Sequence, residues 1–154
     1  MTRTVETPGG PARVEAIVRP PKEGMTIIGL SVPVRLVRIG YAVLSSVFVV
    51  CVLVQVFFAE MGAFGADWSW HLTFAHFLGL LPLLMAPTAF AGRLSWGLSL
   101  LPLGLLVLIG VQYAFANAAL PAAALHPVNA LLILLLSLLA ARRAWSAVAG
   151  RRKG

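Results

Sequence analysis

From Leu94 to Ala141 the chain carries no charged residue, about twice what one helical crossing of a roughly 30 Å hydrocarbon core needs at about 1.5 Å per residue. Such a stretch must turn back once, and Asn117 and Pro121 mark where. Two further charge-free runs, Ile39 to Ala59 and Trp68 to Ala91, are each long enough for one crossing. Backbone groups in lipid must bond within their own segment, which leaves helices as the natural form for each run. The chain is expected to be all-α, an up-down transmembrane four-helix bundle with spans of about 36–59, 68–91, 94–116 and 121–141. Pro82 and Pro87 inside the second span and Pro102 inside the third each free a carbonyl four residues earlier, so kinks are expected there.

Charge fixes the orientation. Threaded this way, all twelve Lys and Arg residues fall on one side, with Glu60 and Asp67 on the other. Arg35, Arg38, Arg93, Arg142 and Arg143 lie nearest the span ends, and positive residues there stay cytoplasmic, so both termini are expected inside. Trp68 and Trp70 fall at the outer boundary and Trp96 and Trp145 at the inner one, the headgroup levels that indoles favour. The first apolar run is too long for a secretory signal and is read as an uncleaved span.

Residues 1–34 contain Pro8, Gly9, Gly10, Pro11, Pro20 and Pro21 without a sustained apolar period, and are expected to be a disordered cytoplasmic tail. Met25 is an alternative start. The bundle would occupy 35–145 and a short basic tail 146–154, with span four extended by a turn or two beyond Ala141. A composition of 60% apolar and 11% charged residues excludes an ordinary soluble domain. The net charge of +7 comes from residues flanking apolar runs, which suits anionic lipid headgroups and not nucleic acid. Cys51 is alone, so no disulfide or thiolate metal site is available. No catalytic triad, paired carboxylates, phosphate loop or metalloprotease motif is present, and enzyme chemistry is not indicated.

Few sizeable polar side chains remain within the spans, and they share a depth. Gln55, Gln112 and His126 lie about 7 Å in from the outer ends, and His76 and Asn129 about 12 Å, with His71 nearer the surface. Polar groups at such depth need partners and face the bundle interior. His126 and Asn129 share one side of span four, whereas His71 and His76 diverge by about 140° on span two, so only one of them can address the bundle axis.

Spans two and four are diagonal and parallel in an up-down bundle, and inward imidazoles there could hold a haem b iron from both sides. The ligands would be His126 with either His71 or His76, and Gln55, Gln112 and Asn129 would orient them. Such a protein would carry electrons or handle haem. Zinc fits less well, because three or four convergent ligands are missing. The same layer is also what plain interhelical hydrogen bonding requires, at about 1 kcal/mol per group, in a structural or accessory membrane subunit. A small permease is the weakest of the three readings, since few polar residues lie in the inner halves of the spans to line a path.

Two resemblances accompany this reading. Through Gln55-Val56-Phe57-Phe58-Ala59, the segment from His71 to Gly79, and Ala124-Leu125-His126-Pro127-Val128-Asn129-Ala130, the stretch Arg35 to Trp145 resembles a small uncharacterised bacterial family of four-span membrane proteins, which implies the bacterial inner membrane but no activity. The order of features is also similar to one four-helix half of haem A synthase. Asp67-Trp68-Ser69-Trp70-His71 is like the opening of that family's second helix, and Ala124-Leu125-His126 like that of its fourth. This resemblance implies haem ligation and favours His71 as the partner of His126. The chain departs from it in having one half-bundle, no cysteine in the first outer loop and an extra residue between Ser69 and His71.

Overall fold

A computed structural model describes residues 32–150 as helices joined by short turns, with no strand among the described residues. Helix α1 spans Val32–Ala63, α2 Ser69–Leu78, α3 Leu80–Ala91, α4 Trp96–Ala116 and α5 Leu125–Val148, with a 3-10 turn over Ala122–Ala124 leading into α5. Four stretches are long and apolar enough to cross a membrane: Pro33–Ala63, Ser69–Ala91, Trp96–Ala116 and Ala122–Val148. The fold is therefore the expected all-α four-helix bundle. Most of both expected tails, residues 1–31 and 151–154, lies outside the described residues. Helix α1 begins at Val32, ahead of the expected 36, and α5 runs about two turns past Ala141.

The spans form a ring in chain order. Helix α1 packs most extensively on α5, and α5 on α4, α4 on α3 and α3 on α1 complete the circuit, while diagonal spans do not touch through their backbones. Tyr41, Phe48, Met85 and Leu105 fill the centre, and Ala42, Ala89, Ala140 and Ala144 let the helices approach. The other face of each helix is the reverse of a soluble protein's surface. Leu36, Val50, Phe57, Leu83, Val107 and Leu135 are all well exposed, which water would penalise and lipid tails accommodate.

Proline effects are local. Helical bonding in span two is interrupted at Gly79, beside Leu78, whose carbonyl loses its partner to Pro82. Pro87 and Pro102 lie inside α3 and α4 without breaking them. At Pro102 the structure shows why. The Leu98 carbonyl, left without an N–H, accepts a hydrogen bond of 3.0 Å from the buried Tyr41 hydroxyl on α1. A tertiary bond thus replaces the missing helical one.

At the end carrying the arginines, α3 stops in a paired-bond turn. Arg93 N–H donates to Phe90 O and Leu94 N–H to Ala89 O, with Arg93 at φ 49°, a left-handed position usually taken by Gly. Arg38 closes the same terminus from α1: its Nε donates to Gly92 O at 2.8 Å and its guanidinium NH2 to Arg93 O at 3.0 Å. A cation at the carbonyl end of a helix is electrostatically favoured.

Candidate functional site

At the opposite end, the loop after α1 positions the polar layer. Asp67 accepts hydrogen bonds from the Ser69 N–H at 2.9 Å and from the Ser69 hydroxyl, starting α2. These bonds hold the exposed Asp67 carboxyl below the ordinary carboxylate range, through the Ser69 hydroxyl first and its backbone N–H second. Trp68 then folds back over Gly62, where a Cβ would stand 2.6 Å from the indole Cδ2. The Trp68 ring meets the His71 ring edge-on, with centroids 5.4 Å apart and an interplanar angle of 88°. Absence of a side chain at residue 62 therefore helps set the position of His71.

His71 turns toward α1. Its Nδ1 lies 3.3 Å from the Gln55 backbone oxygen and 3.1 Å from the Gln55 side-chain Nε2; the first contact asks for a proton on Nδ1 and the second for a lone pair, so the two together do not assign the tautomer. The Gln55 side-chain amide in turn donates to His71 O at 3.1 Å and approaches His71 Nε2 at 3.3 Å. Gln55 Oε1 is buried and has no hydrogen-bond partner. Helix α5 repeats the pattern against α4. His126 Nδ1 donates to Gln112 O at 3.2 Å, and one turn on, Asn129 Nδ2 donates to Leu108 O at 2.9 Å and to Gln112 Oε1. Each histidine thus places its Nδ1 within hydrogen-bond distance of a backbone carbonyl of a neighbouring helix.

The two rings meet across the bundle diagonal, with centroids 6.5 Å apart and an interplanar angle of 55°. They line a cavity of about 440 Å³ together with Gln55, Gln112 and a mostly apolar wall including Val52, Ile109 and Leu134. The backbones of α2 and α4 stay apart, and the space lies between them. Ala130 gives room on α5, while Gly79 and Ala122 are not part of the wall.

The sequence-derived candidates therefore separate. Gln55, His71, Gln112 and His126 reach the cavity, and Asn129 stands behind Gln112. His76 does not reach it. Its Nδ1 donates to Leu72 O, and its exposed ring sits 6.0 Å from that of Tyr113 on α4. Five residues turn a helix by about 140° beyond one full circle, which separates His71 from His76 as their spacing predicts. Glu60 and Tyr113 also line the cavity and were not anticipated. The adjacency of Tyr113 to Gln112 was the available signal, while Glu60 reaches the cavity only because α1 continues past Ala59. Among the described residues no group of three or more His, Cys, Asp or Glu side chains gathers to hold a metal ion, so a site built on amino-acid ligands alone has two imidazoles at most.

Residues 55–119 match a family of unknown function, DUF6220. The match takes in Gln55, His71, His76 and Gln112 and stops before His126 and Asn129. No curated protein and no solved structure matches the chain.

Proposed function

We propose that this multi-pass membrane protein binds one b-type haem in the cavity between α2 and α4, where His71 and His126 would hold its iron, and serves in electron transfer or haem handling at the outer side of the bacterial inner membrane. The observation that carries the reading is the pair of imidazoles from diagonal spans facing one cavity, with His126 giving its Nδ1 proton to Gln112 O and so keeping it off Nε2. Metal-bound histidines are held in that way. The His71 and His126 ring centres stand 6.5 Å apart across the bundle, so both imidazoles would be in reach of one group held in the cavity.

The surroundings suit the group. The wall is largely apolar, and the volume of about 440 Å³ falls in the range of about 300 to 1,000 Å³ typical of ligand sites. Haem, when bound, supplies a one-electron couple. The protein's part is to hold two imidazoles, exclude water with the apolar wall and orient the rings through Gln112 and Asn129. Binding requires the Gln55 amide to leave His71 Nε2, which gives its unpaired Oε1 an opportunity to find a partner. With cationic ends inside, both termini are cytoplasmic and the cavity lies toward the outer leaflet.

A reduced-minus-oxidised absorbance spectrum of the full-length protein, expressed with ample haem, tests this. Sharp b-type bands are expected; they vanish in His71→Ala and in His126→Ala and persist in His76→Ala. A protein without Soret absorbance, or one whose bands depend on His76 and not His71, refutes the proposal. A second reading, in which the layer only ties helices together, is favoured by the bonds of Asn129 to Leu108 O and Gln112 Oε1. It predicts no haem spectrum and a loss of stability on layer substitutions alone.

A further inference from the structure

A second cavity, of about 490 Å³, lies at the arginine-bearing end. Arg38 from α1, Arg93 from the turn between α3 and α4, and Arg143 from α5 line it with Ser95, Ser146 and Leu98. Three cations from separate segments converge there, and the only carboxylates among the described residues, Glu60 and Asp67, belong to the other end. Arg93 and Arg143 are exposed and Arg38 is partly buried; like charges brought together repel, and an anion shared among them relieves the repulsion. Arg38 uses its Nε and one terminal nitrogen on Gly92 O and Arg93 O, which fixes its position and leaves N–H groups to spare. Ser95 begins α4 without a side-chain capping bond, so a free hydroxyl and a positive helix end stand beside the arginines.

The place of the cavity indicates what kind of anion. Trp96, 75% exposed, sits at the same end, where indoles mark the headgroup level, and Leu94 and Leu98 supply apolar wall. We propose that this cavity holds the phosphate headgroup of an anionic phospholipid from the arginine-side leaflet. The recognition is by guanidinium forks and a serine hydroxyl, distinct from diffuse attraction to the basic tails.

Native mass spectrometry of the full-length protein tests this, with phosphatidylglycerol set against phosphatidylcholine of the same acyl chains and with inorganic phosphate at millimolar concentration as competitor. One phosphatidylglycerol should be retained in preference to phosphatidylcholine, and inorganic phosphate should not displace it. Arg93→Gln and Arg143→Gln should each weaken retention roughly fivefold. Arg35→Gln and Arg142→Gln, which remove equal charge at the same end but do not line the cavity, should leave retention unchanged. Equal retention of the two lipids in the wild-type protein refutes the proposal without any variant. Displacement by inorganic phosphate, or an Arg142→Gln loss as large as that of Arg143→Gln, also overturns it: the former points to a free anion and the latter to charge alone.

Discussion

Removing the Tyr41 hydroxyl tests whether a tertiary hydrogen bond keeps α4 continuous through Pro102. In Tyr41→Phe the ring and its packing remain, but the Leu98 carbonyl loses the 3.0 Å bond and, with Pro102 four residues on, has no helical donor to return to. Leaving a buried acceptor unsatisfied costs about 1 to 3 kcal/mol. Interhelical side-chain bonds measured in membranes average about 0.6 kcal/mol and reach about 1.7 kcal/mol. Tyr41 is fully buried and Leu98 3% exposed, so water cannot easily substitute, and the loss should lie toward the upper end, at about 1 to 1.7 kcal/mol. In a Pro102→Ala background the residue-102 N–H becomes available to Leu98 O, and Tyr41→Phe should then cost only about 0.5 kcal/mol or less. The coupling of about 1 kcal/mol is the decisive quantity, because cavity and solvation effects of the single changes cancel in the cycle. Reversible unfolding of the four proteins in mixed detergent micelles, followed by circular dichroism, supplies it. Equal costs of Tyr41→Phe in both backgrounds would refute the reasoning.

Three further outcomes follow from the same geometry. Gly62→Ala should displace the Trp68 indole, since its Cβ would meet the ring at 2.6 Å; a loss of about 1 to 3 kcal/mol in stability and a shifted tryptophan emission are expected. Arg93→Gly should raise stability by about 1 kcal/mol in the same unfolding assay, because glycine adopts the φ 49° position without a steric cost and the carbonyl that Arg38 binds is retained. Ser69→Ala should raise the Asp67 pKa part of the way toward its ordinary value in an NMR titration, because the hydroxyl, the larger of the two influences that depress it, is lost while the backbone N–H remains. A depressed carboxyl favours the fold above its unfolded pKa, and that contribution disappears as pH falls through the folded value, so acid sensitivity from this residue should be reduced in the variant.

Apolar run length made the four helices legible in the sequence, since a charge-free stretch in lipid has no alternative but to bond to itself. The spacing of His71 and His76 showed that the two must diverge, and helical phase placed Gln112, His126 and Asn129 toward neighbouring helices. What the sequence could not disclose depends on contacts between distant segments. The Tyr41 bond to Leu98 O joins residues that no local pattern relates, so the sequence could not show what satisfies the carbonyl that Pro102 frees. Arg38 reads as a topology signal in the sequence, yet its side chain also terminates α3. Choosing between His71 and His76 by position alone was impossible, because it needs the rotation of α2 about its axis. That rotation is coupled to the packing of Trp68 on Gly62, six residues earlier and in another helix.

The cavity itself follows from how span two is divided. Below Gly79, α3 packs on both α1 and α4 and closes the ring; above it, α2 packs on α1 and on the start of α3, while its backbone stays apart from that of α4 and His76 reaches across to Tyr113. A single straight helix could bring its whole length against both neighbours. Interruption beside the carbonyl freed by Pro82 lets the two halves take different partners. The wall left uncovered on α4 includes Ile109, Gln112 and Tyr113, and it faces the space into which His71 and His126 project. Helix–helix hydrogen bonding alone gives no reason to leave about 440 Å³ open, since packed interiors leave few voids and an apolar one forfeits dispersion contacts. That space is what the haem proposal uses, and returning an N–H to the Leu78 carbonyl with Pro82→Ala should narrow it while leaving the α1–α5 and α4–α5 packing in place.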